Sequence, residues 1–118
     1  MAEVLPTAEK VESISVKFYH RELKRDVEFK ATAEDWNAIR SHLMPAKHDP
    51  NPAKWIVLGT VKMIKKDGQP FHVELYRTSG GPGAFASGDT YEQRKYFRGG
   101  KTSELLKALN AAFKKSRE

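Results

Sequence analysis

Residues Trp55–Thr78, WIVLGTVKMIKKDGQPFHVELYRT, hold two strand-like runs around a lysine- and glycine-containing break. Their register decides which side chains share a face. A two-residue turn at Asp67-Gly68 would set Lys62 opposite Val73 and Thr60 opposite Leu75, mixing polar with apolar on both faces. A three-residue loop, Lys66-Asp67-Gly68, puts Gly68 in the left-handed position of a bulged turn. That loop pairs Met63 with Phe71, Val61 with Val73 and Gly59 with Leu75. The opposite face then holds Leu58 with Tyr76, Thr60 with Glu74 and Lys62 with His72. Because a half-buried sheet needs one apolar face, the hydrophobic pattern selects the three-residue loop.

Upstream, Ile14, Val16 and Phe18 alternate with polar neighbours, and so do Val27, Phe29 and Ala31. Opposing the two sets pairs Phe18 with Val27 and Val16 with Phe29 across a four-residue loop, Arg21–Lys24, which needs no glycine. Thr32 is expected to cap a helix, with Glu34 and Asp35 at its positive end. Trp36, Ile39 and Leu43 make one apolar stripe, and Pro45 stops the helix. The proline-rich stretch MPAKHDPNPAK, residues 44–54, reads as a loop. After a glycine-rich connection, TYEQRKYFR (90–98) is strand-like, with Phe97 inward and Arg94, Tyr96 and Arg98 outward. Gly99-Gly100 ends it. A last helix follows, capped by Thr102 or Ser103, with Leu105, Leu106, Leu109, Ala112 and Phe113 buried.

The order ββα-βββα predicts an α+β domain: a five-stranded, mainly antiparallel sheet with two helices packed on one face. A chain of 118 residues suits one domain. Residues 1–10, without periodicity and with Pro6, are expected to be a flexible terminus, leaving 11–118 as the domain.

With no cysteine, disulfide and thiolate chemistry are excluded. No apolar run approaches the length of a membrane span. The start, MAEVLPTAEKVE, has neither a basic nor an apolar leader region, so a cytoplasmic protein is the expectation. The net charge of +6 is diffuse. Residues 1–16 carry −2 and residues from Lys101 onward +3. Such a balance fits an acidic partner or nucleic acid, and fits equally a soluble surface.

The glycine stretch Gly83–Thr90 has the spacing of a phosphate-binding P-loop but carries Asp89 where the lysine belongs, and no helix follows. Nucleotide binding there is excluded. Gly81–Ala86 matches the dinucleotide pattern only as a string, with no βαβ unit around it. Residues 79–89 therefore read as a long inter-strand loop in which Phe85 either pins the loop to the core or projects toward a partner. A more interesting fragment is Arg98–Ser103. There Gly100, Lys101, Thr102 and Ser103 could form an anion site at a helix N-terminus, the plainer reading being an ordinary capped helix.

His42, His48 and Asp49 lack the further ligands of a zinc site, so no metal and no cofactor is expected. Trp36 and Trp55 read as core anchors. No nucleophile, base and carboxylate arrangement argues for an enzyme. What remains is the outer sheet face, where Lys62, His72, Tyr76, Arg94, Tyr96 and Arg98 gather. Three functions follow. The first is a non-catalytic binding domain that docks a protein partner or its own copy through this face and the glycine loop, with Leu58, Ile64 and Tyr76 as an apolar centre. The second is a nucleic-acid module using the cations for phosphates and the aromatics for bases. The third is a site for a small anionic ligand near Arg98–Ser103.

Overall fold

The computed structural model describes residues 5–44, 46–49, 56–77, 84–90, 92–99 and 102–117. In these, seven strands form one sheet: β1 (Val11–His20), β2 (Arg25–Lys30), β3 (Lys47–His48), β4 (Ile56–Lys65), β5 (Pro70–Arg77), β6 (Ala84–Gly88) and β7 (Lys95–Arg98). Their spatial order is β2-β1-β4-β5-β6-β7-β3, and each neighbouring pair is antiparallel. Helices α1 (Ala33–Ser41) and α2 (Thr102–Ser116) complete an α+β fold.

The central hairpin adopts the three-residue turn. Met63 pairs with Phe71, Val61 with Val73, Gly59 with Leu75, Lys62 with His72 and Thr60 with Glu74. Gly68 has φ +89° and donates its N–H to the Lys65 carbonyl at 2.8 Å, in a conformation that only glycine adopts without strain. The first hairpin also takes the expected register, Val16 to Phe29 and Phe18 to Val27, with Lys24 in the left-handed region at φ 54°.

Helix α1 begins with a reciprocal cap. Asp35 N–H donates to Thr32 Oγ1 at 3.1 Å and Thr32 N–H to Asp35 Oδ2 at 3.0 Å. Its Trp36 and Ile39, with Leu43 just beyond, are fully buried. They join Leu105, Leu109, Ala112 and Phe113 of α2 and the inward residues of the sheet in one core. Both helices therefore cover the same face. Phe113 and Phe29 each meet Phe18 edge to face, with ring centroids 6.2 Å apart.

Four expectations need correction. First, the sheet has seven strands, not five. Residues 47–48, read as loop, pair with β7, and residues 84–88 are a strand rather than part of a loop. The run AFASG lacks β-branched residues, but propensity yields to packing here. Ala84 and Ala86 are small enough to lie beneath Tyr76 and Tyr96, while Phe85 stacks on Phe97 at 5.3 Å inside the core. Phe85 is thus a core residue and not a contact for a partner. Second, the strand read at 90–98 shortens to 95–98, because Gln93 N–H turns back to Thr90. Third, residues 5–10 pack onto the domain. Leu5 is fully buried, and Trp36 Nε1–H donates to the Pro6 carbonyl at 2.8 Å. Fourth, Tyr76 lies opposite Val57 rather than Leu58, because the β4–β5 ladder is irregular between Val57 and Gly59. That irregularity turns Leu58 against the core. Pro45, Trp55 and residues 78–83 lie outside the described residues.

Gly59 allows β1 to close on β4. A Cβ there would collide with the Lys17 carbonyl oxygen and stand 2.7 Å from Phe18 Cβ. Gly68 has open space around it. Gly59→Ala should therefore be the more damaging of the two substitutions, since backbone must move to admit it. Gly68→Ala should cost only about 1 kcal/mol through its positive φ. Urea unfolding of both variants checks the order, and equal losses would contradict it.

Candidate functional site on the outer sheet face

The face turned away from the helices is built by strand alternation. On β1, Ser15 and Lys17 point opposite to Ile14, Val16 and Phe18. Lys62 and Thr60 do the same on β4, and His72 and Glu74 on β5. The register arranges these residues in two adjacent rows across the sheet. One row runs Lys30, Ser15, Lys62, His72, Gly88. The other runs Glu28, Lys17, Thr60, Glu74, Ala86, Tyr96. Between them lies a pocket of about 370 Å³ lined by Ser15, Lys17, Glu28, Thr60, Lys62, His72, Glu74 and Arg94.

The charges are not equivalent. Arg94 Nη1 donates to Glu74 Oε1 at 2.7 Å, and only 12% and 13% of the two side chains are exposed. The Tyr76 hydroxyl donates to the same Glu74 oxygen and lies 3.2 Å from Arg94 Nη1. Burial pushes the Tyr76 phenol well above its ordinary value, and the Glu74 carboxylate, by hydrogen bond and by charge, pushes it further. These three side chains are tied to one another in one hydrogen-bonded unit. Lys17 and Lys62, by contrast, form no ion pair among the described residues and are exposed.

Of the six residues expected to share this face, all lie on it but in three settings. Lys62 and His72 line the pocket. Tyr76 and Arg94 are tied to Glu74, and the Tyr96 ring leans on Tyr76 with centroids 6.1 Å apart. Arg98 sits toward the β3 edge, where its Nε donates to Asp49 Oδ2 at 2.6 Å. The expected apolar centre is not formed. Leu58 packs on the core, Tyr76 is buried, and Ile64 stands at the far end of β4 opposite Pro70. Exposed apolar area is thus divided between Ile64 at that end and Tyr19 (50%) and Val57 (54%) at the other.

Gly100 and Lys101 of the expected anion site lie outside the described residues. Thr102 and Ser103 open α2, and their side chains are likewise not described. Sequence reasoning missed Ser15, Lys17 and Glu28. Their outward direction was visible in the alternation of β1 and β2, but the pairing of β1 with β4 joins strands separated by a helix.

Among the described residues no helix is long and apolar enough to cross a membrane, and no group of three or more His, Asp or Glu could hold a metal ion. Comparison of the chain with protein-family models, curated proteins and solved structures finds no match.

The setting of Tyr76 has a measurable consequence. The folded protein keeps its phenolic proton above the pH at which the unfolded chain releases it, about 10. Its stabilising contribution is full below that pH and is lost as pH rises through the raised folded value. In a titration followed by tyrosinate absorbance, Tyr76→Phe should remove a step lying above the ordinary phenol range. Loss of a step at the ordinary value would contradict the assignment.

Proposed function

We propose that this chain is a non-catalytic binding domain that holds single-stranded nucleic acid on its outer sheet face. The observation that carries the reading is the pair Lys17 and Lys62, exposed beside His72, which among the described residues have no ion-pair partner and lie on a face that no helix covers. Such a surface attracts phosphates, and exposed Tyr19 on the same strand as Lys17 offers a ring on which a base can stack. The chain's net charge of +6 works in the same direction.

A second reading, a protein partner or another copy of the chain, is supported by the exposed Tyr19 and Val57. Its support is thinner once Leu58 and Tyr76 are withdrawn from the surface. Pairing through a sheet edge is also disfavoured. Edge strand β3 has two residues, and edge strand β2 carries Arg25, Asp26, Glu28 and Lys30.

Fluorescence anisotropy with a labelled oligothymidine tests the choice. Binding should be present at low salt and weaken steeply between about 50 and 200 mM, each engaged phosphate contributing about −0.7 to the log–log slope. Charge reversal of Lys17 and Lys62 together should abolish it. No binding at low salt, or binding indifferent to salt, would reject nucleic acid. In that case light scattering showing a dimer that dissociates on Tyr19→Ser or Val57→Ser would favour the second reading.

A further inference from the structure

We infer that the outer-face pocket between Lys17 and Lys62 is a discrete seat for one phosphate group, with Ser15, Thr60 and His72 as its hydrogen-bonding partners. The inference rests on the nucleic-acid reading for its source of phosphate, but its geometry stands apart from it. Ser15 is opposite Lys62 and Thr60 is opposite Lys17 in the β1–β4 ladder. Cross-strand neighbours on one face have Cβ atoms ~5 Å apart, with diagonal neighbours at ~7–8 Å. The two lysines thus occupy one diagonal of a four-residue square and the two hydroxyls occupy the other.

His72, opposite Lys62 on β5, closes one side. Beyond it Gly88 contributes no side chain, and Arg94 occupies that space: a Cβ on Gly88 would lie 3.0 Å from Arg94 Cα. The result is a recess rather than a flat face, and Val61 and Val73 share its lining with the cationic and hydroxyl residues. A tetrahedral oxyanion matches this set, since its oxygens can accept from two ammonium groups and two hydroxyls together.

Two carboxylates also line the pocket. The charge of Glu74 is paired with Arg94, and the carboxylate also accepts a hydrogen bond from the Tyr76 hydroxyl. Glu28 is exposed on edge strand β2 opposite Lys17 and forms no ion pair with it. Its charge opposes an anion in the seat, so removing it should strengthen binding. That gives a variant whose predicted effect is a gain, which a folding defect could not imitate.

The test is amide NMR of the full chain titrated with inorganic phosphate, against chloride at matched ionic strength. The amides of Lys17, Thr60, Lys62 and His72 should shift along saturable curves. Lys62→Met and Lys17→Met should each weaken phosphate by about tenfold or more, as expected for a charge-assisted contact. Glu28→Gln should tighten it roughly two- to fivefold, and Lys107→Met on α2 should leave it unchanged.

Saturable shifts at these residues without oligonucleotide binding would uphold the seat and transfer it to a small phosphate ligand, ending the nucleic-acid reading. Oligonucleotide binding that is lost on the double charge reversal, with no phosphate shift in the pocket, would overturn the seat and leave that reading standing. Shifts confined to the Thr102 and Ser103 amides would overturn it in favour of the α2 N-terminus.

Discussion

The pairing of Met63 with Phe71 across a three-residue turn divides both central strands into a side that meets the helices and a side that does not. A slip of one residue would set Lys62 opposite Val73 and Thr60 opposite Leu75, sending the apolar set of one strand to water and drawing its polar set toward the core. At ~1.5–3 kcal/mol for each large apolar side chain withdrawn from water, such reversals amount to a large part of the stability of a domain this size. The turn is what makes the register available. Gly68 supplies the positive φ, and Gln69 N–H is fixed by Asp67 Oδ1 at 2.8 Å. Strands β1 and β6 then add to either side of a hairpin whose faces are already assigned.

Closure on the β1 side depends on the missing side chain of Gly59, which lets the Lys17 carbonyl and Phe18 come in close. That approach sets Lys17 and Lys62 on neighbouring rows of the outer face. On the β6 side small residues do the equivalent work, with Ala84 and Ala86 lying under two tyrosines. Both faces of this half of the sheet are consequently occupied, one by Phe85 and Phe97 and the other by Tyr76 and Tyr96. Among the described residues the surface left open is the β1–β4–β5 portion, and its exposed cations without ion-pair partners there are the reason to read it as a site.

Legibility in the sequence followed the range of the interactions. Both hairpins, the Thr32 cap and the apolar stripes of α1 and α2 are local patterns, and they appear as the alternation and spacing required. Strand β6 was not legible because Ala84, Ala86 and Gly88 have weak strand preference and are held by residues far along the chain. Strand β3 is two residues whose pairing to β7 is entirely long-range. At the site, Lys62 and His72 were legible because they sit on one hairpin. The partner that gives them meaning, Lys17, comes from a strand reached across α1. The same distance hid the fate of Arg94, which as a sequence position is an exposed cation and in the fold is committed to Glu74.

On the proposed reading the outer face of the sheet, and not the helical side, receives the ligand. Lysine footprinting of the native protein tests it most directly, with an amine-reactive label read by mass spectrometry with and without saturating oligothymidine. Lys17 and Lys62 should lose labelling when the oligonucleotide is bound, while Lys107 and Lys114 on α2 label at the same rate. Protection on α2 with Lys17 and Lys62 unaffected would contradict it.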